Sequence, residues 1–228
     1  MKKKQIKPGP HLGLLTLGQS PRRDVIPSFE GILGKRLTLI EAGALDGLGN
    51  EQINALLPGP LETGIQTRLA GGSEIFLSKE RLLPYLIEKA VFLGNRCRYV
   101  VLLCSGDFPA LRSACSGLLE PVIILRGIIK TLAGQKTLGV IGPASDLKSA
   151  PEQWQPYAGK VVCAAASPYA PVEQAAIASK SAVNQGAQVL LLDDMGFNQE
   201  HRAQARKAVD VPVICATTVT ARVLTELI

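Results

Sequence analysis

The chain has 228 residues, 46% of them hydrophobic and only 4% aromatic, enough for a largely aliphatic core in one large α/β domain or two smaller ones. The net charge is +6, but Lys2, Lys3, Lys4 and Lys7 supply four of those units and leave +2 for residues 8–228, which argues against the basic, aromatic-studded surface of a nucleic-acid binder. No apolar run approaches the roughly 20 residues of a membrane span, and no signal-type apolar stretch follows Met1–Lys4, so the sequence predicts a cytoplasmic protein without a membrane partner.

In chain order, residues 1–10 read as a flexible basic lead-in. The apolar run from His11 to Leu17 predicts a buried strand, followed by Gly18-Gln19-Ser20-Pro21-Arg22-Arg23-Asp24. Ser20 is a good N-cap and Pro21 suits a first helical position, so a helix is expected from there towards Leu33. A strand follows at Arg36–Ala42, a short helix at Glu51–Leu57, and strands at Gln66–Leu69 and Glu74–Leu77. Ser78 caps a helix expected over Lys79–Gly94, whose Leu82, Leu86 and Ala90 recur at helical spacing. The next strand, Tyr99–Leu103, has the continuous apolar character of a parallel strand buried on both faces, and it stops at Cys104-Ser105-Gly106-Asp107-Phe108.

Helices are expected from Pro109 and from Pro121 to Ala133. A second set of elements then echoes the first. Leu138–Ile141 repeats the Leu-Gly pattern of Leu12–Leu15, and a helix over 146–157, a strand at Lys160–Ala164 and a helix over 171–186 follow. The strand ending in Leu192-Asp193-Asp194-Met195-Gly196-Phe197 reads like the one that ends at Cys104. A helix over 200–209, a strand at Val211–Cys215 and a helix over 217–228 complete the chain. The expected lobes are 11–110 and 111–228, with the last helix returning to the first lobe.

Ligands of open α/β sheets bind beyond the carboxyl ends of the strands, so the residues just past each strand are the candidates. Superposing Gly106 on Gly196 sets Cys104 opposite Asp194. A helix start at Ser20 with Arg22 in its first turn would hold a carboxylate or phosphate; alternatively Ser20 only caps and the arginines lie in solvent. Cys104 likewise has two readings, a reactive thiol at a strand end or a small buried hydrophobe. Cys97, Cys115 and Cys163 read as structural, Cys215 as a possible lining residue, and His201 as a solvent or capping residue. Five cysteines without a Cys-x-x-Cys pair and only two histidines fit neither a disulfide framework nor a zinc site. No nucleotide-cradling glycine loop is present, so no metal and no cofactor are expected.

Thr16–Asp24, the Leu103–Phe108 turn and Leu192–Phe197 together resemble the AroM family across nearly the whole chain. AroM-like proteins are similar to the aspartate/glutamate/hydantoin racemase superfamily. That resemblance implies two flavodoxin-like (Rossmann-like) α/β lobes with parallel sheets, related by a pseudo-twofold axis, with the site between them. It also implies one cysteine after a strand of each lobe, working on opposite faces of a substrate's α-carbon. The first falls on Cys104; the second falls on Asp194, which is not a thiol.

On this reading Cys104 and Asp194 are the catalytic pair, looking at each other over a shared pocket. Gly18, Gln19, Ser20, Arg22, Ser105, Gly106, Met195, Gly196, Thr217 and Thr218 are the expected substrate-binding residues. A thiolate base and fixed donors for an enolate would move a proton at the α-carbon of a small carboxylic acid, as in racemisation, isomerisation or decarboxylation. Asp194 could return a proton only if it held one near neutral pH. The alternative is a non-catalytic module that binds a small carboxylate or phosphate in the same cleft. Hydrolysis has little support without a histidine beside a nucleophile. A homodimer is the expected assembly.

Overall fold

The computed structural model describes residues 9–34, 37–62 and 64–228. The expected lead-in therefore falls mostly outside the described residues, as does Arg36. In chain order the elements begin with β1 (Gly9–Thr16), α1 (Ile26–Leu33), β2 (Thr38–Gly43), α2 (Asn50–Asn54) and the strands β3 (Gly64–Arg68) and β4 (Glu74–Ser78). Next come α3 (Lys79–Gly94), β5 (Cys97–Leu102), α4 (Pro109–Ala114), β6 (Leu118–Leu119) and α5 (Pro121–Ala133). The later elements are β7 (Thr137–Gly142), α6 (Ala150–Trp154), β8 (Lys160–Ala165), α7 (Glu173–Asn184), β9 (Val189–Leu192), α8 (Gln199–Ala208), β10 (Val213–Cys215) and α9 (Ala216–Thr225).

These elements form two compact units, 9–23 with 37–120 and 24–34 with 121–228. The first holds a parallel sheet in the order β2-β1-β5-β6, the second a parallel sheet in the order β8-β7-β9-β10. Both orders are second, first, third, fourth, the doubly wound arrangement of flavodoxin-like folds. The first unit alone inserts an antiparallel hairpin, β3 with β4, between its second and third strands.

The repeated Leu-Gly pair has a packing cause. A Cβ on Gly13 would sit 3.2 Å from Leu93 Cβ of α3, and one on Gly139 would sit 3.0 Å from Ala182 Cβ of α7. In each unit the glycine of the first strand lets the helix that leads into the third strand lie against the sheet. Each unit then builds its own core. Leu15, Leu82, Leu86, Ala90, Val100 and Leu102 belong to the first, and Ile141, Ala182, Leu190, Leu192, Phe197 and Ala205 to the second. A fully buried aliphatic side chain contributes roughly 1.5 to 3 kcal/mol, so these clusters dominate the stability of each unit. Ser78 caps α3 as expected, its Oγ accepting from the Arg81 amide at 3.3 Å.

Four expectations are corrected. The helix expected from Ser20 starts only at Ile26, because the Ser20 amide and hydroxyl are both bound by Asp46. The helix expected over 146–157 is one short helix, α6, between two single 3-10 turns, since Pro151 and Pro156 remove interior donors. The first unit extends past residue 110 to Glu120, because β6 pairs with β5 and carries α4 with it. The last helix, α9, stays in the second unit and packs against α1, so it is α1 of the first half that crosses over. Among the described residues no helix is long and apolar enough to cross a membrane.

Candidate active site

In the first unit the ends of β1 and β5 lie side by side: Leu15 pairs with Leu102, and the Leu103 amide donates to the Leu15 carbonyl at 2.8 Å. Cys104 is the second residue beyond β5. It is half-buried, and its Sγ accepts from the Gly106 amide at 3.2 Å. A donor aimed at sulfur favours the thiolate over the thiol. A side chain would be tight there: a Cβ at 106 would stand 3.3 Å from Cys104 Sγ and 3.3 Å from the Phe108 ring.

The turn after β1 is built differently from the expected helix start. Asp46 Oδ1 accepts from the Ser20 amide at 2.8 Å, and its Oδ2 accepts from Ser20 Oγ at 2.6 Å and from the Gly43 amide at 2.7 Å. The helix start expected to hold an anion at Ser20 is not formed, and the chain's own Asp46 carboxylate takes the Ser20 amide and hydroxyl. Gln19 donates its amide to the Arg68 carbonyl and accepts from the Ala70 amide through Oε1. Gly18 is pressed so closely on that hairpin that a Cβ would lie 1.9 Å from the Arg68 carbonyl oxygen. These three residues hold the turn to β2 and to the β3–β4 hairpin. Arg22 is only 8% exposed; its guanidinium donates to Thr16 Oγ1 at 3.0 Å, at the end of β1, and its amide donates to Glu41 at 2.7 Å. Arg22, Cys104, Ser105 and Gly106 therefore share one end of one sheet. Arg23 is exposed.

In the second unit β9 ends at Leu192. Asp193 turns inward and accepts from Trp154 Nε1 at 2.7 Å, whereas the half-buried Asp194 accepts from the Gly196 amide at 2.6 Å. Neighbouring residues of an extended chain point to opposite sides, so only one of the two carboxylates belongs to the turn. A Cβ on Gly196 would meet Pro168 Cγ at 2.9 Å, Tyr169 Oη at 2.9 Å and Asp194 Oδ1 at 3.0 Å. Thr217 and Thr218 are buried, and their hydroxyls donate to the carbonyls of Met195 (2.8 Å) and Cys215 (3.2 Å). They brace the Asp194 turn and the start of α9 from within. Tyr169, after β8, was not singled out in the sequence. Its hydroxyl donates to Asp24 at 3.3 Å, and its only sequence signal is its place in the Ser167-Pro168-Tyr169 loop past a strand.

Of the remaining thiols, Cys97, Cys115 and Cys215 are buried and Cys163 is half-buried. Cys215 is wholly buried with Sγ 3.5 Å from the Phe197 carbonyl, which corrects its reading as a lining residue, and burial pushes its thiol up. Burial likewise raises Cys97, Cys115 and Cys163. His201 is a capping residue rather than a solvent one. It is 4% exposed, its Nδ1 lies 2.8 Å from Asn198 Oδ1, and burial holds its imidazole below the usual range. Among the described residues no group of three metal-binding side chains is assembled.

The two parallel sheets, each with its repeated strand-end turn, define an α/β protein of two doubly wound units, and its fold is similar to that of several solved structures. The chain belongs to the AroM family, whose model, described as AroM protein, matches residues 12–228. The maleate isomerase Iso from Pseudomonas putida S16 is similar in fold, with TM-score 0.65, 12% identity, and 95% of this chain and 92% of that one covered. Unliganded arylmalonate decarboxylase gives TM-score 0.63 at 11% identity, over 96% of this chain and 92% of that one. Glutamate racemase RacE1 from Bacillus anthracis gives TM-score 0.60 at 16% identity, over 95% and 80%. No curated protein matches by sequence.

Proposed function

We propose that this protein catalyses proton transfer at the α-carbon of a small carboxylic acid, with Cys104 as the group that moves the proton. The observation that carries the proposal is the half-buried Cys104 sulfur with the Gly106 amide on it, at the same sheet end where Arg22 bonds Thr16. The thiolate takes the α-proton, so that the C–H bond breaks and an S–H bond forms. The electron pair moves onto the substrate carboxylate. Such an enediolate needs fixed donors, and Arg22 with the amides of the Ser105–Gly106 turn are the groups assigned to it. Asp194 occupies in its own unit the turn position that Cys104 occupies in the other. The similar folds of a decarboxylase, an isomerase and racemases support this class of chemistry.

The test is solvent deuterium exchange into a panel that includes glutamate and aspartate, maleate, 2-hydroxy acids and aryl-substituted malonates. Exchange or turnover with at least one member, abolished in Cys104→Ala, is the expected result. Ligand binding that survives unchanged in Cys104→Ala, with no exchange into any acid, would leave a binding module instead.

A further inference from the structure

The stretch between Cys104 and α4 is gripped from two neighbouring elements. Lys79, the first residue of α3, donates from Nζ to the Asp107 carbonyl at 2.8 Å and lies 4.6 Å from the centre of the Phe108 ring. The Phe108 amide donates to Glu120 Oε2 at 3.1 Å. Arg112 of α4 donates from Nε to the same carboxylate and pairs through Nη2 with Asp107. Glu120 follows β6, the strand beside β5, and is only 4% exposed. A carboxylate withdrawn from water is tolerated when it is paired and hydrogen-bonded, and here the partners that satisfy it are Phe108 and Arg112. Residues 107 and 108 are thus pinned, and one residue earlier stands the amide that meets the sulfur. Gly106 brings no side chain of its own to restrain that amide.

We propose that Lys79, Arg112 and Glu120 are positioning residues that keep the Gly106 amide aimed at the Cys104 sulfur, an inference that rests on Cys104 being the proton-moving group. With the clamp intact, the amide donates to the thiolate and Cys104 ionises more readily. With the clamp loosened, the turn swings, the donor leaves the sulfur, and the thiol is less acidic. None of the three residues touches the reacting atoms.

The experiment is the pH profile of Cys104 alkylation by iodoacetamide, read by peptide-level mass spectrometry in the resting protein without substrate. Wild type is compared with Lys79→Met, Arg112→Leu and Glu120→Gln, and the half-buried Cys163 in the same digest serves as control. The expected result is an upward displacement of the Cys104 profile by about one pH unit, the size of one lost hydrogen bond to a charged acceptor, with Cys163 unchanged. At neutral pH that displacement slows alkylation of Cys104 several-fold. Lys79 is half-buried at the start of its helix, so Lys79→Met keeps the test alive if the buried Glu120 cannot be replaced. Folded Lys79→Met and Arg112→Leu proteins whose Cys104 profiles superimpose on wild type overturn the clamp. Because no substrate is present, that outcome is independent of whether any acid exchanges its α-proton, and the two proposals fail separately.

Discussion

Cys104 and Asp194 occupy the same local position: each side chain follows a buried parallel strand and accepts a hydrogen bond from the amide two residues on, Gly106 at 3.2 Å and Gly196 at 2.6 Å. The correspondence extends through the fold, since β5 and β9 are both the third strand of a sheet with the same order. A thiol and a carboxylate are therefore interchanged on one backbone device. What differs is the chemistry each can offer, a soft nucleophilic base in one unit and an oxygen acid or base in the other.

The crowding at the two glycines predicts unequal responses to alanine. At Gly106 the new Cβ meets sulfur and ring at 3.3 Å, distances that a shift of a few tenths of an ångström relieves. Gly106→Ala should cost about 1 kcal/mol of stability while moving the donor off the sulfur. At Gly196 the contacts are 2.9 to 3.0 Å and include the Pro168 ring, so Gly196→Ala should cost about 2 to 3 kcal/mol. Urea unfolding of both variants checks the order, and equal costs would contradict it.

Asp46 carries the turn after β1. Asp46→Ala leaves the Ser20 amide, the Ser20 hydroxyl and the Gly43 amide without their acceptor. The expected loss is about 2 to 4 kcal/mol, measured by denaturant unfolding. Ser20→Ala removes only one of the three bonds and should cost about 1 kcal/mol. A loss for Asp46→Ala no larger than that for Ser20→Ala would show that the carboxylate does not organise the turn.

His201 predicts a direction of pH dependence. Burial lowers its pKa in the folded state below the ordinary value of 6.5, so above that value it is neutral in both states and makes no difference. As pH falls below 6.5 the unfolded chain takes up a proton that the folded chain refuses, and stability drops until the folded-state pKa is passed. The slope contributed is at most about 1.4 kcal/mol per pH unit. Thermal unfolding between pH 7 and pH 5 should fall more steeply in wild type than in His201→Gln, which can still approach Asn198. Parallel curves would show that His201 does not cause the slope.

Much of the strand framework was legible in the sequence because buried parallel strands are short apolar runs bounded by small residues. The residues past Leu103 and Leu192 could be named from that pattern alone. Ser20 shows where it ended. Its N-cap signature is genuine local chemistry, but the acceptor that captures its amide and hydroxyl lies 26 residues away in the loop after β2. The short β6, two residues long, offers no periodicity, so the reach of the first unit to Glu120 was hidden with it. Thr217 and Thr218 look like ligand donors at a helix start; in the fold their hydroxyls are taken by carbonyls of the same unit. Nothing local in the sequence distinguishes Tyr169, and its bond to Asp24 joins residues 145 positions apart.

The central claim is that the thiol of Cys104 takes a proton from carbon. Incorporation of solvent deuterium at the α-carbon, followed by NMR for the acid in the panel that reacts fastest with wild type, measures that step directly. The account predicts a rate about 100-fold to 10,000-fold lower in Cys104→Ala, the usual contribution of a positioned acid or base, in a variant that remains folded. Exchange at the wild-type rate in folded Cys104→Ala would contradict it.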